Sequence, residues 1–374
     1  MARFPSLSFV ATLAAIAPAQ STATVPAVCA TLPGNAALSL PFRWSHGLLQ
    51  MRIAQTLLPA ALQGHTITGV RLRRPTMLTE PAYPAVQRTV TVRGSFQGDS
   101  PGQMTVDAAQ NRLTGVQTLF GPAVVNVQAT PLPGPQSVFG QEVAHFVFSQ
   151  PLPVQPGTLF LEFETNDPPL QVASTNWVDA VWFPGGVETG YVVSVGDGSC
   201  TTRPDPTVLR WNDSVGPQAG ATAKFEVLGA PPTSGSTTGL LMLWMGIDPQ
   251  GQVPGPAYLG FGGSFGLVDA GLTGCFHWAP LDVPWTGLTD AAGKFTTTFP
   301  LNNVPAGIRI GVQALWLDSN RPGLPFSFSN GLVMVLNSVA VGGNCATSFF
   351  PAGATVSPWQ PFLGQMPVLT LDYQ

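Results

Sequence analysis

"LFLEFE", residues 159–164, alternates without a break: Leu159, Leu161 and Phe163 share one parity, and Phe160, Glu162 and Glu164 share the other. Successive side chains of a β-strand point to opposite faces, so such a run reads as a strand with one core face and one wet face. "LQMRI" (49–53) and "TVTVR" (89–93) repeat the pattern. Further strands are expected at 142–149, 190–195, 222–228, 240–247, 294–301, 307–317, 331–337 and 366–373. Helix signals are poor; Thr56–Gln63 makes at most one short turn, limited by Pro59.

With 41 Gly and 38 Pro among 374 residues, tight turns punctuate the apolar runs regularly. This composition predicts an all-β fold of two β-sandwich, jelly-roll-like domains, mainly antiparallel. A chain of this length exceeds what one core usually supports. The expected division is 20–196 and 197–374, with an alternative boundary in the Pro/Ser/Thr/Gly-rich stretch 229–239.

Residues 1–19 read as a secretory signal peptide: one charge, Arg3, then an apolar stretch from about Leu7 to Ala17, ending in the small-x-small pattern Ala17-Pro18-Ala19. The longest later apolar run, Leu240–Met245, is far too short to span a bilayer. The protein is therefore expected to be secreted, extracellular or on the cell surface, with no integral membrane segment. Charged residues are 9% of the chain, against roughly 25% in ordinary proteins. The only basic cluster, Arg71, Arg73 and Arg74, alternates with apolar residues and reads as a solvated strand face, which argues against a nucleic-acid partner. Cys29, Cys200, Cys275 and Cys345 in an exported chain suggest two disulfides with three possible connectivities, and no Cys/His spacing suggests zinc. "CATLPGNAALS" (29–39) and "CATSFFPAGATVS" (345–357) echo each other, as if both play one structural role.

The stretch 198–337 resembles a module of exported proteins of some aquatic bacteria. The residues that carry the likeness are Gly198-Ser199-Cys200, Pro206 to Leu209, Gly239–Gly246, Gly274-Cys275, the Thr289-Asp290-Ala291-Ala292-Gly293 turn, Gln313 to Asp318, and Ser329-Asn330-Gly331. Residues 29–196 are similar to the β-rich domain such proteins carry upstream, best in "PLPVQPGTLFLEFE" (151–164). The resemblance implies fold and export, not a reaction. It also implies a Cys200–Cys275 bridge, with Cys29–Cys345 tying the ends. The rival pairing is Cys29–Cys200 with Cys275–Cys345.

No motif proves a chemistry. Of two G-x-S-x-G matches, the one at Ser100 fails because Pro101 has no N–H for an oxyanion hole. The one at Ser264 sits in a Gly-rich loop with Asp269 and His277 crowded close behind it. Glu162 and Glu164 share a strand face about 7 Å apart, a separation glycosidases use, but a wet strand face explains them more simply. His46, His65, His145 and His277 are scattered, and Asp318-Ser319-Asn320 is the one calcium-like spacing, without the rest of a loop. No cofactor is therefore expected, with calcium, which needs only oxygen ligands from loops, as the one alternative. In "IGVQALWLDSNRPG" (310–323), Gln313 and Trp316 point to opposite faces, and Asp318 begins a turn whose side chain bonds the backbone two residues on.

The aromatics in "STNWVDAVWFPGG" (174–186) remain the best candidates. Flat aromatic faces with polar neighbours suit glycans. Trp177 and Trp182 with Asp179 and Glu188 form the expected ligand site, although tryptophans of this kind also cap the ends of a β core. The expected function is a non-catalytic extracellular or cell-surface protein, structural or binding, whose partner is a glycan or envelope component; the alternative is a polysaccharide hydrolase using carboxylates.

Overall fold

The computed structural model describes residues 20–75, 82–130, 140–168, 174, 176–182, 189–195, 200, 203, 206–213, 216–233, 239–247, 279, 282–318, 320, 325–339, 344–351 and 360–374. The leader expected at 1–19 lies outside them, as do Glu188, Ser264 and Cys275.

In chain order the strands are β1 (Ser21–Val25), β2 (Ala36–Leu38), β3 (His46–Ile53), β4 (Thr66–Arg73), β5 (Val86–Gln97), β6 (Gln117–Val127) and β7 (Glu142–Pro153). Next come β8 (Thr158–Asn166), β9 (Val178–Trp182), β10 (Thr189–Val195), β11 (Val208–Trp211), β12 (Thr222–Leu228), β13 (Leu240–Ile247) and β14 (Val283–Leu288). The last are β15 (Phe295–Pro300), β16 (Arg309–Leu317), β17 (Phe326–Val339), β18 (Cys345–Pro351), β19 (Phe362–Leu363), β20 (Gln365–Pro367) and β21 (Leu369–Tyr373). The fold is all-β, and the ladders are antiparallel. The expected strands at 222–228 and 240–247 are observed with those bounds. The 56–63 stretch holds two 3-10 turns, Gln55–Leu57 and Ala60–Leu62. Among the described residues no helix is long and apolar enough to cross a membrane.

The three alternating stretches of sequence are neighbours in one six-stranded sheet, ordered β19-β18-β3-β8-β5-β6. Leu49, Met51, Ile53, Val90, Val92, Leu159, Leu161 and Phe163 lie in one core shared with the four-stranded sheet β1-β21-β4-β7 and the small sheet β2-β9-β20. The core face is as expected. The other face is not wet. Register sets Gln50, Glu162 and Arg93 in one row, and Gln50, Arg52 and Glu162 are buried. The segment between β5 and β6 crosses that face and covers it. It contains the 3-10 turn Pro101–Gln103 and the short helix α1 (Ala108–Asn111), which Asp107 caps by accepting the Ala109 N–H at 2.8 Å. Gln50 Nε2 donates to Ala108 O at 3.1 Å, Asn111 Nδ2 donates to Gln50 Oε1 at 2.9 Å, and Arg52 pairs with Asp99.

A second core lies between the five-stranded sheet β10-β17-β16-β13-β14 and the sheet β11-β12-β15. The five-stranded sheet serves both cores. On β17, Leu332, Met334 and Leu336 face the second core, while Val333 and Val335 face the first. Tyr191, Val193 and Val195 of β10 join the first core too. Each such buried aliphatic side chain contributes about 2 kcal/mol.

Strand pairing crosses the expected division at 196/197. β18, β20 and β21 return from the C-terminal end to pair with β3, β9 and β4, and β21 also pairs with β1. Long-range pairing of this kind leaves no mark in local composition, which is what suggested the boundary.

The residues of the 310–331 motif hold this second unit together. Gln313 and Leu315 flank a bulge between β16 and β17. There Gln313 Nε2 donates to Ser329 O at 2.8 Å, and the Ala314 N–H donates to Ser329 Oγ at 3.0 Å. Asn330 takes the place of a strand neighbour for β11: its Oδ1 accepts the Leu209 N–H at 2.7 Å and its Nδ2 donates to Leu209 O at 2.9 Å. Trp316 is buried, and Asp318 accepts the Asn320 N–H at 3.2 Å, the turn expected from sequence.

Two further expectations need correction. Cys29 and Cys345 are buried and in no disulfide, so neither Cys29–Cys345 nor the pairings Cys29–Cys200 and Cys275–Cys345 form. Cys200 is disulfide-bonded, and Cys275, its expected partner, lies outside the described residues. The physical reason is placement: Cys29 sits in a 3-10 turn (Ala27–Ala30) after β1 and faces the Tyr191 hydroxyl, whereas Cys345 opens β18 opposite Ile53. Within the described residues, the CAT at 29–31 and the CAT at 345–347 therefore share letters but not structure. Nor is the arginine cluster a solvated face: Arg71 pairs with Asp372 at 2.9 Å, Arg73 pairs with Asp179 at 2.8 Å, and Arg74 is fully buried.

Candidate functional site

Of the four expected ligand residues, Glu188 lies outside the described residues, and Trp177, Asp179 and Trp182 stand in different surroundings. Asp179 is buried, with both carboxylate oxygens accepting the Gly34 N–H at 2.9 Å and one accepting from Arg73 Nε. A Cβ at Gly34 would collide with Ala180 O, so only glycine brings its amide this close. Burial raises the Asp179 pKa above the ordinary aspartate value, against the pull of Arg73 and the Gly34 N–H. Asp179 is a structural tie, which corrects its assignment to a ligand site: as the second residue of β9 it turns to the interior. Trp182 ends the same strand with 48% exposure, its backbone held both ways by the Asn35 amide. Trp177 precedes β9, so five residues of extended chain, about 16 Å, separate the two tryptophans.

Trp177 does belong to an aromatic site, with partners the sequence reading passed over. Phe42 is buried, and its carbonyl accepts from Arg88 Nε and from Ser174 Oγ, both at 3.1 Å. The Ser174 N–H donates to Arg43 O at 3.0 Å. These bonds draw the chain at 174–177 alongside 42–44. The Arg43 guanidinium lies 4.1 Å from the Trp177 ring centroid and 5.8 Å from that of Trp44. Trp177 packs against the first core, while Trp44 is 41% exposed. Cation–π contacts of this kind contribute about 0.5–2 kcal/mol. They also fix the plane of the guanidinium.

Asn176 is buried beside this group. Its Nδ2 donates to Pro84 O at 3.1 Å, and its Oδ1 accepts no hydrogen bond among the described residues. Pro84 leads directly into a cleft of about 240 Å³ lined by Ala85, Val86, Gln87, Asn126, Val127 and Gln128. Gln87 Nε2 donates to Asn126 Oδ1 at 2.8 Å across it, and Arg88 Nη1 donates to Gln87 O at 2.7 Å. One backbone framework thus carries two indole rings, a guanidinium and several amides. Such a set stacks on a flat ring and bonds to hydroxyls. The signal in sequence is the bare pair Arg43-Trp44 in "PFRWSHG", which nothing local links to Trp177.

The carboxylates considered for hydrolysis are engaged elsewhere. Glu162 receives Arg112 Nε and Gln50 Nε2 on Oε2 at 2.7 Å each, and Arg93 and Arg112 Nη2 on Oε1 at 2.7 and 2.9 Å. Burial pushes its pKa up, but the bonds from Arg112, Gln50 and Arg93 outweigh that and hold it below the ordinary glutamate value. Glu164 shares Arg93 at 2.6 Å. Asp167 accepts the Thr89 N–H with both oxygens, at 2.9 and 3.1 Å. His145 Nε2 lies 2.6 Å from Asp372. Among the described residues no group of three or more His, Cys, Asp or Glu side chains is arranged to hold a metal ion.

No known family, curated protein or solved structure matches this chain.

Proposed function

We propose that this protein is an exported, non-catalytic binding protein that docks on extracellular glycan through Trp44, Arg43 and Trp177. The observation that carries this reading is the exposed Trp44 ring beside a guanidinium stacked on Trp177, on a backbone anchored by Arg88 and Ser174. A rigid, part-exposed aromatic pair with amides alongside presents a flat apolar surface at little entropic cost. The leader-like residues 1–19 and the resemblance to exported proteins of aquatic bacteria agree with an extracellular partner. The ion pairs around Glu162 favour a structural role for the carboxylates over hydrolysis.

Retention of the purified protein on insoluble polysaccharide or cell wall tests the reading. Trp44→Ala should abolish retention, and Trp182→Ala, at the far end of β9, should leave it unchanged. Wild-type retention by Trp44→Ala would refute the site. Release of reducing ends, lost in Glu164→Gln, would favour the hydrolase instead.

A further inference from the structure

Among the arginines, Arg52, Arg71, Arg73, Arg93, Arg112 and Arg210 each face a carboxylate. Arg43 differs. Its guanidinium is half-buried between two indole rings, and among the described residues it has neither an ion-pair partner nor a side-chain hydrogen bond. A guanidinium has five N–H donors in a planar fork, and stacking on Trp177 holds that fork in one orientation. A fixed fork with its donors open matches the two oxygens of a carboxylate.

Resting on the glycan-binding reading above, we propose that the ligand is an acidic polysaccharide, and that Arg43 pairs with the carboxylate of a uronic acid unit whose ring lies against Trp44. Arg43 acts here as the selectivity residue: it separates acidic from neutral sugars, while Trp44 supplies affinity common to both.

The test is quantitative retention on matched supports of polygalacturonate, alginate, dextran sulfate and neutral cellulose. Wild type should bind the two uronate polymers at least about tenfold more tightly than cellulose, the scale of a hydrogen-bonded charge. Raising salt should weaken that preference, because exposed charges are screened. Arg43→Gln should remove the preference and leave weak binding to every support. Arg43→Lys, which keeps the charge but loses the fork, should retain only part of it. An unchanged unfolding midpoint shows that either variant is folded. Equal binding of wild type to cellulose and polygalacturonate, or Arg43→Gln with its uronate preference intact, overturns the assignment while leaving glycan binding standing. Preference for dextran sulfate over both uronates overturns the carboxylate. Retention on none of the supports refutes the glycan reading itself.

Discussion

Arg93 and Arg43 sit in opposite kinds of surroundings. Arg93 lies on the outer face of the six-stranded sheet, where Glu162 and Glu164 take its donors under cover of the segment leading to β6. Arg43 lies in a turn, stacked on Trp177, with no carboxylate to receive its fork among the described residues. The first arrangement is closed: every oxygen of Glu162 has a donor. The second is open. A saturated buried charge holds a fold, and an unsaturated half-buried one presents chemistry to solvent.

Mutation can break this comparison. Glu162→Ala leaves Arg112 and Gln50 without their carboxylate and Arg93 with Glu164 alone, and should cost about 3–5 kcal/mol in denaturant unfolding; a loss under about 1 kcal/mol would mean the network is not structural. Asn330→Ala leaves the Leu209 N–H and C=O without partners and should cost about 2 kcal/mol. The acid limb sharpens the contrast. Because Glu162 titrates below its ordinary value of 4.5, its contribution is full above that pH and disappears as pH falls through the depressed folded value. Glu162→Gln should therefore lose less stability between pH 5 and pH 2 than wild type, to a degree that unfolding midpoints across that range measure. Trp44→Ala should change stability by less than about 0.5 kcal/mol while removing retention on glycan. Last, burial pushes the Cys29 and Cys345 thiols up to about 12, with Asp179 adding to the effect at Cys29. Both should react with a thiol reagent at pH 8 only as fast as the protein opens.

Local pattern revealed the strands because alternation is a local property. The parity of Leu159 to Glu164 assigned the core face correctly, and Trp316 and the Asp318 turn follow the same logic. The opposite face was misread because its cover, Gly98 to Arg112, has no periodicity and looks like an ordinary loop. Asp179 was misread because a carboxylate between tryptophans looks like a ligand group, while its partners Gly34 and Arg73 are more than a hundred residues away. Arg43 and Trp177 are as remote from each other in sequence, brought together by the hydrogen bonds of Ser174.

The placing of β21 bears on when this protein can fold at all. β1 is made first, yet its only neighbour in the four-stranded sheet is β21, which also supplies the ladder to β4. Until residues 369–373 have been made, β1 has nothing to pair with and one flank of β4 stays open. The first core must wait for that strand, so a nascent chain keeps an open edge in the four-stranded sheet until residues 369–373 are made.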